Sequence, residues 1–148
     1  MRSVGTEKEL RRQIARYLQA FHPEVVYRFD LAADMKLTKG QAARHKELHP
    51  HRGYPDLFLA HSTLQDGTVW PCAGLYLELK REGESPYLKD GKTLKADPHV
   101  REQAAMLDRL RDQGYYAEFA VGFEEAVGYI EAYLMPSDIA AMQESTVF

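Results

Sequence analysis

The sequence is short of several things, and each shortage excludes a class of protein. A single cysteine, Cys72, excludes an internal disulfide and any cysteine-based zinc site. No apolar run approaches the roughly 20 residues of a membrane span. The opening MRSVGTEKELRRQIARYL has no apolar stretch followed by small residues, so no secretory leader is expected. Together these absences point to an intracellular, cytoplasmic protein with no membrane partner. Glycine-rich phosphate loops of the G-x-x-x-x-G-K type are missing, which argues against a nucleotide cradle. Strong charge of one sign is also missing: the net charge is −3. The distribution is nevertheless uneven. Residues 1–101 hold 17 Lys/Arg and 13 Asp/Glu, a balance of +4, whereas residues 102–148 hold 2 and 9, a balance of −7. A basic surface on the first two-thirds therefore stays compatible with a nucleic-acid partner.

What is present fits one domain spanning residues 1–148. Thr6 and Glu9 form a capping box ahead of Leu10, Ile14, Tyr17, Leu18 and Phe21 at helical spacing, and Pro23 ends the helix. Val25, Tyr27 and Phe29 alternate as a short strand. Thr38 caps a second helix to about Leu48. Asp56–His61 and Gly74–Lys80 read as two buried strands around a turn at Gln65–Thr68, and they are expected to be antiparallel. Residues 81–97, rich in glycine and lysine, are expected to form a mobile loop. Pro98 opens a helix carrying Ala104, Leu107, Leu110 and Arg111 that closes at Gly114. Tyr116–Val121 is a strand parallel to its predecessor. Glu124–Leu134 is a helix with Ala126, Val127, Ile130 and Leu134 inward, followed by a short helix or tail from Pro136. The order α-β-α-β-β-α-β-α implies a mixed α/β layer structure.

Asp56, Glu78 and Lys80 stand on apolar strands where charge is costly. Glu78 and Lys80 are two apart and so share one strand face. Two carboxylates and an ammonium are a minimal set for metal-assisted phosphodiester hydrolysis, because hard cations such as magnesium select oxygen ligands. Glu-x-Lys alone is equally a surface ion pair. Preceded by Gly53-Tyr54-Pro55-Asp56 about twenty residues earlier, it is far more specific. His45 and His49, four apart with His51 beyond Pro50, have the spacing of a zinc pair or of a basic DNA-contacting segment with Arg44, Lys46 and Arg52. Trp70 and Cys72 read as packing residues.

The run Gly53-Tyr54-Pro55-Asp56-Leu57-Phe58, then Leu77-Glu78-Leu79-Lys80, then Gln103, resembles the VRR-NUC family of PD-(D/E)XK nucleases. Gly114-Tyr115-Tyr116-Ala117 through Glu124-Glu125-Ala126 resembles that family's ending. The match extends from Thr6 to Leu134 and is most similar to small stand-alone, phage-type members. The resemblance implies a restriction-endonuclease-like core with a central mixed four-stranded sheet. It implies a magnesium- or manganese-dependent DNA endonuclease, selective for branched DNA such as four-way junctions and acting as a homodimer. It makes Asp56 and Glu78 metal ligands with the backbone carbonyl of Leu79, Lys80 the catalytic lysine, and Gln103 a supporting residue. A first-helix glutamate is also implied, with Glu7 favoured over Glu9 because it lies on the buried stripe. Between Lys80 and Gln103 the chain departs from compact members by inserting residues 84–97, whose Lys89, Lys92 and Lys95 are candidate phosphate contacts. Tyr133, Met135, Ile139 and Met142 are candidate dimer contacts. The alternative functions are a nucleic-acid-binding module on an inactive nuclease fold and a flap- or end-directed nuclease.

Overall fold

The computed structural model describes residues 5–30, 35–67 and 70–135. In chain order the elements are α1 (Glu7–Phe21), β1 (Tyr27–Phe29), α2 (Lys39–Leu48), β2 (Leu57–Leu59), β3 (Leu75–Lys80), α3 (Pro98–Asp112), β4 (Tyr116–Val121) and α4 (Gly122–Leu134). The helix starts follow local chemistry. The Thr6 hydroxyl accepts from the Glu9 amide while the Glu9 carboxylate accepts from the Thr6 amide, and Thr38 and Gln41 repeat the device on α2. Asp97 caps α3, with Pro98 in its first turn.

The strands form one sheet in the order β1-β2-β3-β4. The pairs β1–β2 and β2–β3 are antiparallel and β3–β4 is parallel, as expected from the sequence. Strand β3 is buried on both faces, and its alternation divides the core. Leu75, Leu77 and Leu79 face a cluster built with Leu10, Ile14 and Leu18 of α1 and Ala126 and Ile130 of α4. Tyr76 faces the other side, with Val100 and Leu107 of α3 and Phe119 of β4. The sheet is thus sandwiched between α1 and α4 on one face and α3 on the other. Helix α2 buries no side chain.

Several expectations are corrected. Phe21, at the last position of α1, is 69% exposed, its ring set against Tyr17 with centroids 5.3 Å apart rather than in the core. Trp70 is 80% exposed rather than packed, while Cys72 is half-buried against the main cluster. Tyr133 is not a surface residue: it is buried, and its hydroxyl donates to the His61 carbonyl. Val127 and Leu134 are half-buried. Ile139, Met142 and the segment from Pro136 lie outside the described residues, as does Thr68 of the Gln65–Thr68 turn.

The segment expected to be a mobile loop is a tied hairpin. Tyr87 pairs with Leu94 in an isolated antiparallel bridge. The Leu88 amide donates to the Thr93 carbonyl at 2.8 Å and the Lys95 amide to the Pro86 carbonyl at 2.9 Å. Asp90 accepts from the amides of Lys92 and Thr93 at 2.9 Å each, which closes the tip. Tyr87 anchors the hairpin by standing edge-on to Phe119, ring centroids 6.1 Å apart.

Gly53 sets how the chain enters β2. Its φ is +76°, and a Cβ there would lie 2.7 Å from the carbonyl oxygen of Glu102 on α3. No L side chain satisfies both the angle and the contact. Gly53→Ala should therefore lower the unfolding free energy by about 1–3 kcal/mol. Urea denaturation with unchanged slope measures it; wild-type stability in Gly53→Ala would contradict this turn.

Candidate active site

The charged residues of the sequence motif come together at one end of the sheet. Asp56 directly precedes β2, and Glu78 and Lys80 close β3 on the face turned to α3. Asp56 and Glu78 are each 5% exposed, and Gln103 of α3 is 6% exposed. With Lys80 and Glu7 they line one cavity of about 610 Å³.

Asp56 is fully partnered, and Glu78 is not. Asp56 Oδ1 accepts from Arg11 Nη2 at 2.6 Å, and Oδ2 accepts from the Leu79 amide at 2.9 Å. Glu78 Oε1 accepts from Gln103 Nε2 at 2.9 Å. The same Gln103 nitrogen lies 3.4 Å from His99 Nε2. Glu78 Oε2 is buried with no hydrogen-bond partner. Burial, and then the charge of Asp56, push the Glu78 carboxyl up to about 10, with Lys80 working in the opposite direction.

Arg11 is the functional-site residue that motif reading misses. It is buried, 2.6 Å from Asp56 and 3.9 Å from Glu7. A signal was available: Arg11 lies four residues after Glu7 and three and seven before Ile14 and Leu18, on the buried stripe. It modifies the expectation for Glu7, whose side chain is 41% exposed and paired to Arg11 on the cavity rim rather than set against Asp56. Glu9 is taken up in the α1 capping box.

A divalent cation fits this donor set. The free Oε2 of Glu78 is an orphaned buried acceptor, and all the donors are oxygens, the preference of magnesium and manganese. Among the described residues no three His, Cys, Asp or Glu side chains gather into a metal-holding group. Backbone and water oxygens would have to complete the shell around two carboxylates, which hard cations accept. His45, His49 and His51 form no such group either, and the rings of the first two lie tilted by 41° on α2 with centroids 4.8 Å apart.

The candidate phosphate contacts separate. Lys95 is half-buried and lines the cavity. Lys89 and Lys92 are exposed on the hairpin, and Arg44 and Lys46 are exposed on α2. Arg52 is exposed 3.8 Å from Glu102.

No protein-family model and no curated protein matches the sequence. Among solved structures, one described as "VRR_NUC domain protein" matches with a TM-score of 0.58 at 22% identity, covering 91% of this chain and 93% of that one. The chain has the α/β fold of that VRR_NUC domain protein, with a mixed four-stranded sheet flanked by helices. No helix among the described residues is long and apolar enough to cross a membrane.

The raised Glu78 carboxyl gives a pH signature. An acid whose folded pKa exceeds its unfolded value binds its proton more tightly when folded. Its stabilising effect is then complete below about 4.5 and is lost as pH rises toward about 10. In EDTA, the wild-type melting temperature should fall across that window, and Glu78→Gln should flatten the fall and melt higher at pH 8. Parallel profiles for the two proteins would show that Glu78 is not held protonated.

Proposed function

We propose that the chain is a VRR-NUC nuclease that hydrolyses DNA phosphodiester bonds with magnesium or manganese. The observation that carries this reading is the buried, incompletely partnered Asp56/Glu78 pair beside Lys80 in an open cavity. Such a pair is expensive to keep, and structural ion pairing accounts only for Asp56. The VRR_NUC neighbour supports the same reading through its fold.

Asp56 and Glu78 would hold the ion with the Leu79 carbonyl. When bound, it would lower the pKa of water and neutralise charge on the phosphate. The protein's own residues do the rest. Arg11 and the Leu79 amide fix the Asp56 carboxylate, and Gln103 fixes Glu78. Lys80, on the cavity face, stabilises charge developing on the phosphate, and Lys95 holds the backbone beside it. Branched DNA is the favoured substrate. A two-fold pair of chains would present two sites to the two symmetric strands of a four-way junction. Met135, 40% exposed, is the described candidate contact that stays on the surface.

Lys80→Ala should fold normally and cleave at least about 100-fold more slowly, since it removes a group acting on the transition state. Single-stranded, duplex, flap and four-way-junction DNA with magnesium, manganese or EDTA provide the assay. Magnesium or manganese should also raise the melting temperature of the wild type and not of Asp56→Asn. A folded Lys80→Ala protein with near-wild-type cleavage, or cleavage undiminished by EDTA, would overturn the assignment. Light scattering at micromolar concentration tests the pair of chains: a monomer mass with intact junctions favours a flap nuclease.

A further inference from the structure

The hairpin of residues 84–97 separates two cavities. On one side Glu84, Ser85 and Lys95 line the cavity that holds Asp56 and Glu78. On the other lies a cleft of about 700 Å³ lined by Ser85, Tyr87, Lys92, Glu125 and Tyr129. Ser85 belongs to both, so the two spaces adjoin across one residue. The wall between them is braced: Tyr87 is bridged to Leu94 and stands against Phe119, so the cleft exists before anything enters it.

The lining has a definite chemistry. Two tyrosines, one from the hairpin and one from α4, offer aromatic surface at half-buried positions. Burial foremost, with Glu118 and Glu125 adding to it, raises both phenols, so the rings stay neutral at physiological pH. Of the nearby acids, Glu118 is paired to Arg111 at 2.6 Å. Glu125 accepts from the Val121 amide at 3.3 Å at the start of α4, and Lys92 lines the same cleft. The volume falls within the roughly 300–1,000 Å³ of sites for small organic groups. Neutral aromatic rings beside one lysine suit a nucleobase with its phosphate, because every base has a stacking face and needs no particular sequence.

We infer that this cleft receives an unpaired nucleotide of the DNA whose scissile phosphate occupies the neighbouring cavity, and that the 84–97 hairpin is the partition that keeps the two strands apart. The inference rests on the nuclease reading for the neighbouring cavity, and it narrows the branched substrates to those with an unpaired nucleotide next to the cut, such as splayed or flapped arms, over fully paired four-way junctions. Lys92 meets the phosphate of the displaced nucleotide, and Tyr87 and Tyr129 take its base.

The test uses the full chain in EDTA, so that binding is read without cleavage. The probes are a matched duplex and a splayed duplex of the same sequence, carrying 5-iodouracil at the first unpaired position. The splayed DNA should bind about tenfold more tightly, the scale of a single base–tyrosine stack. Irradiation should crosslink it to Tyr87 or Tyr129, located by peptide mass spectrometry. Tyr129→Ala should remove the preference and Tyr129→Phe should keep it. Lys92→Glu, at an exposed position, should weaken splayed DNA more than duplex, and it decides the matter if Tyr129→Ala does not fold. Crosslinks elsewhere, with a preference untouched by these variants, would overturn the cleft while metal-dependent cleavage left the nuclease reading standing. Failure to bind any DNA would overturn both.

Discussion

Two carboxylates held out of water within reach of each other's charge are the constraint around which this protein is arranged. Asp56 and Glu78 come from separate strands, and neither burial nor mutual repulsion favours them. Their neighbours answer that cost one by one: Arg11 from α1, the Leu79 amide from β3, and Gln103 from α3. Helices on opposite faces of the sheet thereby supply the partners of two acids at its end. The apolar clusters that clamp α1, α4 and α3 to the sheet set the positions of these side chains as well as the stability of the fold. Gly53 tightens the arrangement further, since the close passage of its backbone against Glu102 ties the chain entering Asp56 to the helix carrying Gln103.

The polarity that these partners leave unsatisfied is what the proposed function draws on. Glu78 Oε2 and Gln103 Oε1 are both buried without a hydrogen-bond partner, so the cluster is a polar network left incomplete. In the proposed nuclease reading, these acceptors beside a cavity that Lys80 and Lys95 also line are where an incoming cation would gain more than on the surface. Surface lysines elsewhere on the chain, such as Lys89, have no comparable setting.

Much of this was legible in the residues, for identifiable reasons. Thr6–Glu9, Thr38 and Pro98 announced helix starts because capping is a local interaction between residues three apart. The antiparallel pair and the parallel return followed from connection lengths: a turn between β2 and β3, a helix between β3 and β4. Asp56, Glu78 and Lys80 stood out because charge on an apolar strand needs a reason. What was not legible depends on tertiary contact. Arg11 lies on the buried stripe of α1, but its partner cannot be named until the fold brings Asp56 to it. Tyr133 looked available to a partner because its hydroxyl finds His61 from 72 positions away. Residues 81–97 looked mobile by composition, yet a bridge, the Asp90 cap and one ring contact order the hairpin within them.

Helix α2 contributes no buried side chain and rests on its one capping box and its backbone bonds. Substitutions along its surface therefore fall where stability changes by only about ±0.5 kcal/mol. Charges and histidines on this helix can thus be exchanged without disturbing the core or the buried acids, which makes α2 the place to retune the surface of this scaffold.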